Sequence, residues 1–265
     1  MRRRRRRTSV LLPLLPLLAA AFALGWVLSG HLTRAQVHAA TPSPSPHPSR
    51  LPAHLPRAWL LDVPAENQYP LLPNGCEVTS LSMLLGAVGH PVSPLTLARL
   101  LPYDPTPRVL APDGAIVSWG NPEVGFVGSI WNAQDGYGVY HRPIVRLLNR
   151  ILPGEAVDLT GRPFRTVEAY VAAGRPVMVW TTITLRPTHN WVTWQSPEGP
   201  VRATLEEHAV LIVGYDSTQV LIDNPDGGLK AQAVPLSPFL ASWRQMGQQA
   251  VTVALPERPP LGARR

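Results

Sequence analysis

NQYPLLPNGCEVTSLSMLLGAVG, residues Asn67–Gly89, contains the only cysteine of the 265-residue chain, Cys76. Val78, Leu81, Leu84, Leu85 and Val88 recur at helical spacing after it, which predicts a helix from about Cys76 to Ala87. Pro73-Asn74-Gly75 reads as a turn that delivers the chain into that helix. Cys76 therefore stands at a helix N-terminus, where unpaired N–H groups and the positive dipole end favour a thiolate. A single cysteine excludes an intramolecular disulfide, so Cys76 is either a small buried apolar residue or a reactive thiol.

Outward from this stretch the chain divides into four parts. Residues 1–39 open with Arg2 to Arg7 and continue through an uncharged, mostly apolar run from Val10 to Val27. Such a segment is a signal peptide, with Val37-His38-Ala39 as its small-residue cleavage site, or an uncleaved membrane anchor. Either way the arginines remain on the cytoplasmic side, and the rest is expected to be extracytoplasmic. Residues 40–57 form a Pro/Ser-rich linker, extended and semi-rigid. Residues 58–256 are the folded domain, and residues 257–265 a tail.

Charge argues against a nucleic-acid partner. The chain carries 24 basic and 17 acidic residues, but seven of the arginines lie within the first forty positions. The remainder is balanced at 17 against 17, so the basic character belongs to the N-terminal segment and not to a polyanion-binding face. A metal site is not expected either, since the chain lacks Cys and His ligands at close spacing. No cofactor signature is present.

Within the domain, helices are predicted at 76–87, 94–101, 143–152 and 166–173. Strands follow at 177–180, 209–215, 220–222, 231–234 and 250–255, with a last helix at 237–246. Helices first and strands later is an α+β arrangement. Residues 102–142 read as a long loop rich in glycine and aromatics, a feature usually tied to function.

A cysteine nucleophile needs a base, an orienting group and oxyanion donors. Among His90, His141, His189 and His208, the last opens the apolar strand HAVLIVGY. The next strand, after the turn at 216–218, ends in Asp223-Asn224-Pro225, and hairpin geometry brings that end beside His208. Alternation allows only one of Asp223 and Asn224 to face the imidazole. The backbone N–H of Cys76 and the side-chain amide of Gln68 are the candidate oxyanion donors.

Gln68, Leu72-Pro73-Asn74-Gly75-Cys76-Glu77 and the following helix resemble the nucleophile segment of the papain-like cysteine peptidases, in the branch related to bacteriocin-processing double-glycine peptidases. The resemblance continues through Gly120-Asn121-Pro122, Gly125 to Ser129, Gly136 to Tyr140, Glu207 to Val210, Gly214-Tyr215-Asp216 and Asn224-Pro225. It covers roughly residues 60 to 255. It implies a papain-like fold, with an N-terminal helical part carrying the cysteine and a C-terminal antiparallel sheet carrying the histidine. It further implies a peptide or protein substrate, with Cys76 as nucleophile, His208 as general base and acid, and Gln68 in the oxyanion hole.

The family usually shows Asn-Asp-Pro where this chain has Asp223-Asn224-Pro225. Asn224 matches the orienting position and is preferred over Asp223, since papain-like enzymes accept asparagine there. An inert binding domain and a cell-wall amidase or transpeptidase are the alternative readings. The NlpC-type hydrolases resembling the latter orient the base with a second histidine, and none is suitably placed.

Overall fold

Alternation along the strand that begins at Glu207 organises the molecule. In the computed structural model, which describes residues 50–256, Ala209, Leu211 and Val213 belong to one apolar cluster, and Val210 and Ile212 to another. A strand apolar on both faces must be covered on both sides.

The elements run in order as β1 (Trp59–Leu60), α1 (Cys76–Ala87), α2 (Pro94–Leu100), β2 (Tyr103–Asp104), β3 (Val109–Leu110), β4 (Ile116–Ser118), β5 (Phe126–Gly128) and β6 (Gly136–Gly138). Then come α3 (His141–Ile151), β7 (Ala156–Asp158), α4 (Phe164–Ala172), β8 (Val177–Thr182), β9 (Val192–Ser196) and β10 (Gly199–Ala203). The chain closes with β11 (Glu207–Tyr215), β12 (Gln219–Asn224), β13 (Leu229–Pro235), α5 (Leu236–Gln245) and β14 (Ala250–Val253). The main sheet has the order β13-β12-β11-β8-β14-β7, all antiparallel, with β1 paired to the end of β11 at Tyr215 and Gly214.

One face of this sheet packs on α1, α2 and α3 through Met178, Trp180, Ala209, Leu211 and Val251. The other packs on α4 and α5, where Phe239 and Trp243 are fully enclosed with Val179, Val210 and Ile222. Helix α1 is buried on every side from Cys76 to Leu85, not along one stripe. Its two serines are bonded inward. Ser80 Oγ donates to the Ala209 carbonyl at 3.2 Å, and the single O–H of Ser82 has two acceptors within reach, Glu66 Oε1 and the Val92 carbonyl, both at 2.8 Å.

The stretch 102–142, read as a loop from sequence, holds five short strands. β2-β5-β6 form one small sheet and β10-β9-β4-β3 another. Strands of two or three residues carry too little alternation to be seen in sequence. Their core is aromatic: Trp119, Tyr137 and Trp194 meet edge to face or tilted, with centroids 5.2–6.4 Å apart. The β9–β10 hairpin and β7 were likewise not foreseen.

Of the linker expected at 40–57, Leu55 packs against the α4–α5 core, so its last residues belong to the folded unit. The expected signal or anchor and the C-terminal tail lie outside the described residues. Among the described residues no helix is long and apolar enough to cross a membrane.

Buried polar groups tie the layers together. Trp180 Nε1 donates to the Val139 carbonyl at 2.8 Å, fastening the segment after β6 to the main sheet. Trp180→Phe should leave that carbonyl unpaired and lower stability by about 1–3 kcal/mol, measured as the shift in urea midpoint.

Candidate active site

Helix α1 begins at Cys76 with Gly75 as its N-cap, and no side chain caps it. A Cβ at Gly75 would lie 2.5 Å from Leu72 Cβ, so the turn into the helix closes only with glycine there. The turn is held from outside: Asn74 Nδ2 donates to the carbonyls of Ser129 (2.8 Å) and Asn132 (2.7 Å), within the glycine-rich segment. The Cys76 N–H makes no hydrogen bond among the described residues, as expected of a first-turn donor.

Gln68 is 5% exposed and spends one amide hydrogen on the Pro73 carbonyl at 2.9 Å, which leaves the second available. Its backbone N–H donates to the Pro225 carbonyl at 3.1 Å. The Gln68 loop is thereby tied to the turn that follows Asn224.

On β11, His208 is 2% exposed, and its Nε2 lies 2.8 Å from Asn224 Oδ1. The same oxygen accepts the Asp226 N–H at 3.0 Å, while Asn224 Nδ2 donates to Gln232 Oε1 at 2.9 Å. Those partners fix the amide's orientation. An oxygen that only accepts requires the histidine proton on Nε2, so the neutral ring carries its lone pair on Nδ1.

Asp223 points to the other face, as alternation demands. Its Oδ1 accepts the Ala231 N–H at 2.7 Å and steadies a residue at φ +47°. Asp223 is thus not the residue that meets His208.

Cys76, His208 and Gln68 line one cleft of about 370 Å³ together with Trp119, Tyr137 and Glu207. Arg108 stacks over Trp119 at 5.0 Å and pairs with Asp135 at 2.9 Å on the cleft wall. From the glycine- and aromatic-rich stretch 102–142, Gly136 and Tyr137 reach the cleft.

The ionisation of the site differs from the sequence expectation. Burial pushes the Cys76 thiol well above its ordinary range, and the nearby carboxylates of Glu77 and Glu207 add to this. The N–H of Ala209 offsets only part. A helix terminus is worth about 0.3–1 kcal/mol to an anion, whereas removing a charge from water costs several kcal/mol. Burial wins, and the resting sulfur is a thiol. Its hydrogen bond goes to Glu77 Oε2 at 3.4 Å, not to His208. Burial likewise lowers the His208 value, against the raising effects of Asn224 and Asp226, so the imidazole rests neutral.

Glu77 is what the sequence concealed. A first-turn acid suggests a solvated partner for the helix dipole, yet Glu77 is fully buried, with Oε1 accepting the Val139 N–H at 2.6 Å. Glu207, visible only as one of two acids before His208, faces the same spot. Their carboxylates and the sulfur lie within 4.8 Å of one another. The sequence signal was the position of each next to a candidate catalytic residue, which does not by itself reveal burial.

His141, another of the four histidines weighed as base, does not line this cleft. It begins α3 with Nδ1 at 2.7 Å from Asp158 Oδ2, remote from Cys76 in sequence and bonded to β7.

Comparison with known proteins agrees on the fold and the extent. Residues 60–251 match the family described as Peptidase_C39 like family. An uncharacterized protein of Bacillus subtilis (strain 168), YvpB, is 39% identical over 195 residues, 73% of this chain and 75% of its own length. A crystal structure from Bacillus anthracis, of a protein itself classed by its likeness to the C39 peptidases, superposes with a TM-score of 0.67 at 37% identity. It covers 77% of this chain and is matched over 100% of its own length.

The Glu77 carboxyl, which burial raises from 4.5 to about 7, has a testable consequence for stability. Between these values the folded state holds a proton that the unfolded state has released, so stability falls as pH rises through the window. In Glu77→Gln that loss should disappear. Urea midpoints compared from pH 4.5 to 7.5 should show the wild type declining relative to the variant, and parallel curves would contradict the assignment.

Proposed function

The chain belongs to the Peptidase_C39 like family of papain-like cysteine peptidases, and on that footing we propose that it cleaves peptide bonds outside the cytoplasm through Cys76, His208 and Asn224. The observation that carries the reading is the 2.8 Å bond from His208 Nε2 to Asn224 Oδ1, made in the cleft that Cys76 and Gln68 also line. It leaves Nδ1 as the basic ring atom.

In this mechanism the substrate carbonyl is attacked by the Cys76 sulfur as the thiol proton passes to His208 Nδ1. Starting from neutral thiol and neutral imidazole, the proton moves with the attack and no ion pair accumulates beforehand. At rest the sulfur is bonded to Glu77 Oε2, so the reaction requires it to exchange that bond for one to His208 Nδ1. The tetrahedral oxyanion is received by the Cys76 N–H and the free amide hydrogen of Gln68. Collapse expels the amine, which takes the proton from His208 and leaves a thioester. Water, deprotonated by the same histidine, then releases the acid and restores the thiol.

Exposed apolar side chains at the rim of the cleft, Tyr69, Ile183 and Leu205, support an extended peptide with apolar side chains as the substrate. The arginine-led apolar segment at the N-terminus supports an extracytoplasmic site, with the domain secreted or tethered to the membrane.

A fluorogenic peptide library should give cleavage that disappears in Cys76→Ala. Asn224→Ala should lose about 10²-fold in kcat/KM through a misaligned imidazole, and Gln68→Ala about 10²–10³-fold in kcat through the oxyanion. Asp223→Asn should stay close to wild type. Cleavage that survives Cys76→Ala sinks the reading, and peptide binding without cleavage by the wild type would favour an inert binding domain.

A further inference from the structure

Behind the sulfur stand two carboxyl groups that the proposed reaction does not use. Glu77 Oε2 receives the Cys76 thiol at 3.4 Å, and Glu77 Oε1 receives the Val139 N–H at 2.6 Å. Glu207 Oε1 is buried with no hydrogen-bond partner. The two side chains converge on Gly138, at φ +148°, where an added Cβ would lie 2.6 Å from Glu77 Oε1 and 2.7 Å from Glu207 Oε2. Only glycine leaves room for both.

The remaining titratable groups around the pair are Cys76 on α1, Tyr103 on β2, Tyr137 on β6, Tyr140 before α3, and His208 on β11. Tyr137 and Tyr140 bond each other through their hydroxyls at 2.6 Å. Among the described residues no cationic side chain forms an ion pair with Glu77 or Glu207. Glu77 is fully buried and Glu207 half-buried with its Oε1 enclosed; two such adjacent carboxylates without a cation cannot both ionise readily, and an acceptor with no donor is satisfied if the pair retains a proton.

We propose that Glu77 and Glu207 form a proton-sharing acid pair that holds Cys76 as a resting thiol and governs how its reactivity depends on pH. The proposal rests on Cys76 being the nucleophile. Glu77 touches the reacting sulfur, and Glu207 acts on it both across space and through Glu77. Once Glu77 ionises, the pair keeps one proton and carries one negative charge, which opposes a thiolate beside it. Burial raises both carboxyls, Glu77 to about 7 and Glu207 well above its ordinary value, the latter raised further by the Glu77 charge. Because thiolates and not thiols are the oxidisable form, the same pair shields a lone cysteine in an oxidising compartment.

Two measurements on the full chain test this without any peptide substrate, so failure of the peptidase reading and failure of this inference are separable. The first is the iodoacetamide alkylation rate of Cys76 against pH. Glu77→Gln keeps an oxygen for the Val139 N–H but removes the charge, and should react at least about ten-fold faster than wild type at pH 8, a shift of one pH unit in the midpoint. A role confined to packing would change the urea midpoint and leave the alkylation profile unmoved.

The second is the infrared absorption of protonated carboxyl groups. Wild type at pH 8 should show such a band, absent from the double variant Glu77→Gln, Glu207→Gln. Alkylation rates equal within about two-fold, or no protonated carboxyl band in the wild type, would overturn the proposal.

Discussion

Strand β11 has a neighbour along each edge and a helical layer on each face, and its alternation is the constraint on which the site depends. Ala209, Leu211 and Val213 pack toward the cysteine helix and Val210 and Ile212 toward the α4–α5 side, while His208, at the start of the strand, lines the cleft with Cys76. The register with β12, in which Leu211 opposes Asp223 and Ile212 opposes Ile222, carries this parity across the hairpin. Asn224 therefore shares a face with His208, and Asp223 does not. A one-residue slip in this register would exchange them and put the apolar side chains of β12 on the wrong faces, so the hydrophobic core itself enforces which residue meets the imidazole.

The nucleophile side is held by a different kind of restraint. Helix α1 is enclosed on every side, and its first turn is reached by three loops: the Gln68 loop, the segment after β5 that receives Asn74, and the Val139 backbone clamped between Glu77 and Trp180. Val139 donates to Glu77 and accepts from Trp180, so one backbone unit ties the helix start to the main sheet. The Gln68 N–H bond to the Pro225 carbonyl then joins the nucleophile side to the histidine side. For the proposed reaction, ties of this kind would hold the donors and reacting groups in place before a substrate arrives.

Enclosure also sets the electrostatics. A helix N-terminus in water would favour the thiolate, but burial and two neighbouring carboxyls reverse that preference. The same burial keeps His208 neutral, so the resting dyad is uncharged. Glu77 and Glu207 thus belong to the surroundings that set the ionisation of the sulfur.

The sequence by itself determined the α+β order, the helix at Cys76, the strand that opens at His208 and the hairpin that returns Asn224 to it. Each of these is a local property, set by apolar periodicity, a turn or strand pairing across a tight connection. The small sheets within 102–142 were not legible, because strands of two or three residues leave no periodic trace and are stabilised by aromatic contacts distant in sequence. Only the tertiary structure decided that Asp223 caps a strained residue on β13 while Asn224 meets the imidazole. It alone also decided that Glu77 and Glu207, 130 positions apart in the chain, meet beside the sulfur. Ionisation depends on how much water and which charges surround a group, and that is a property of packing. The stretch around Cys76 fixes where the sulfur stands, and the layers folded over it fix that the sulfur rests as a thiol.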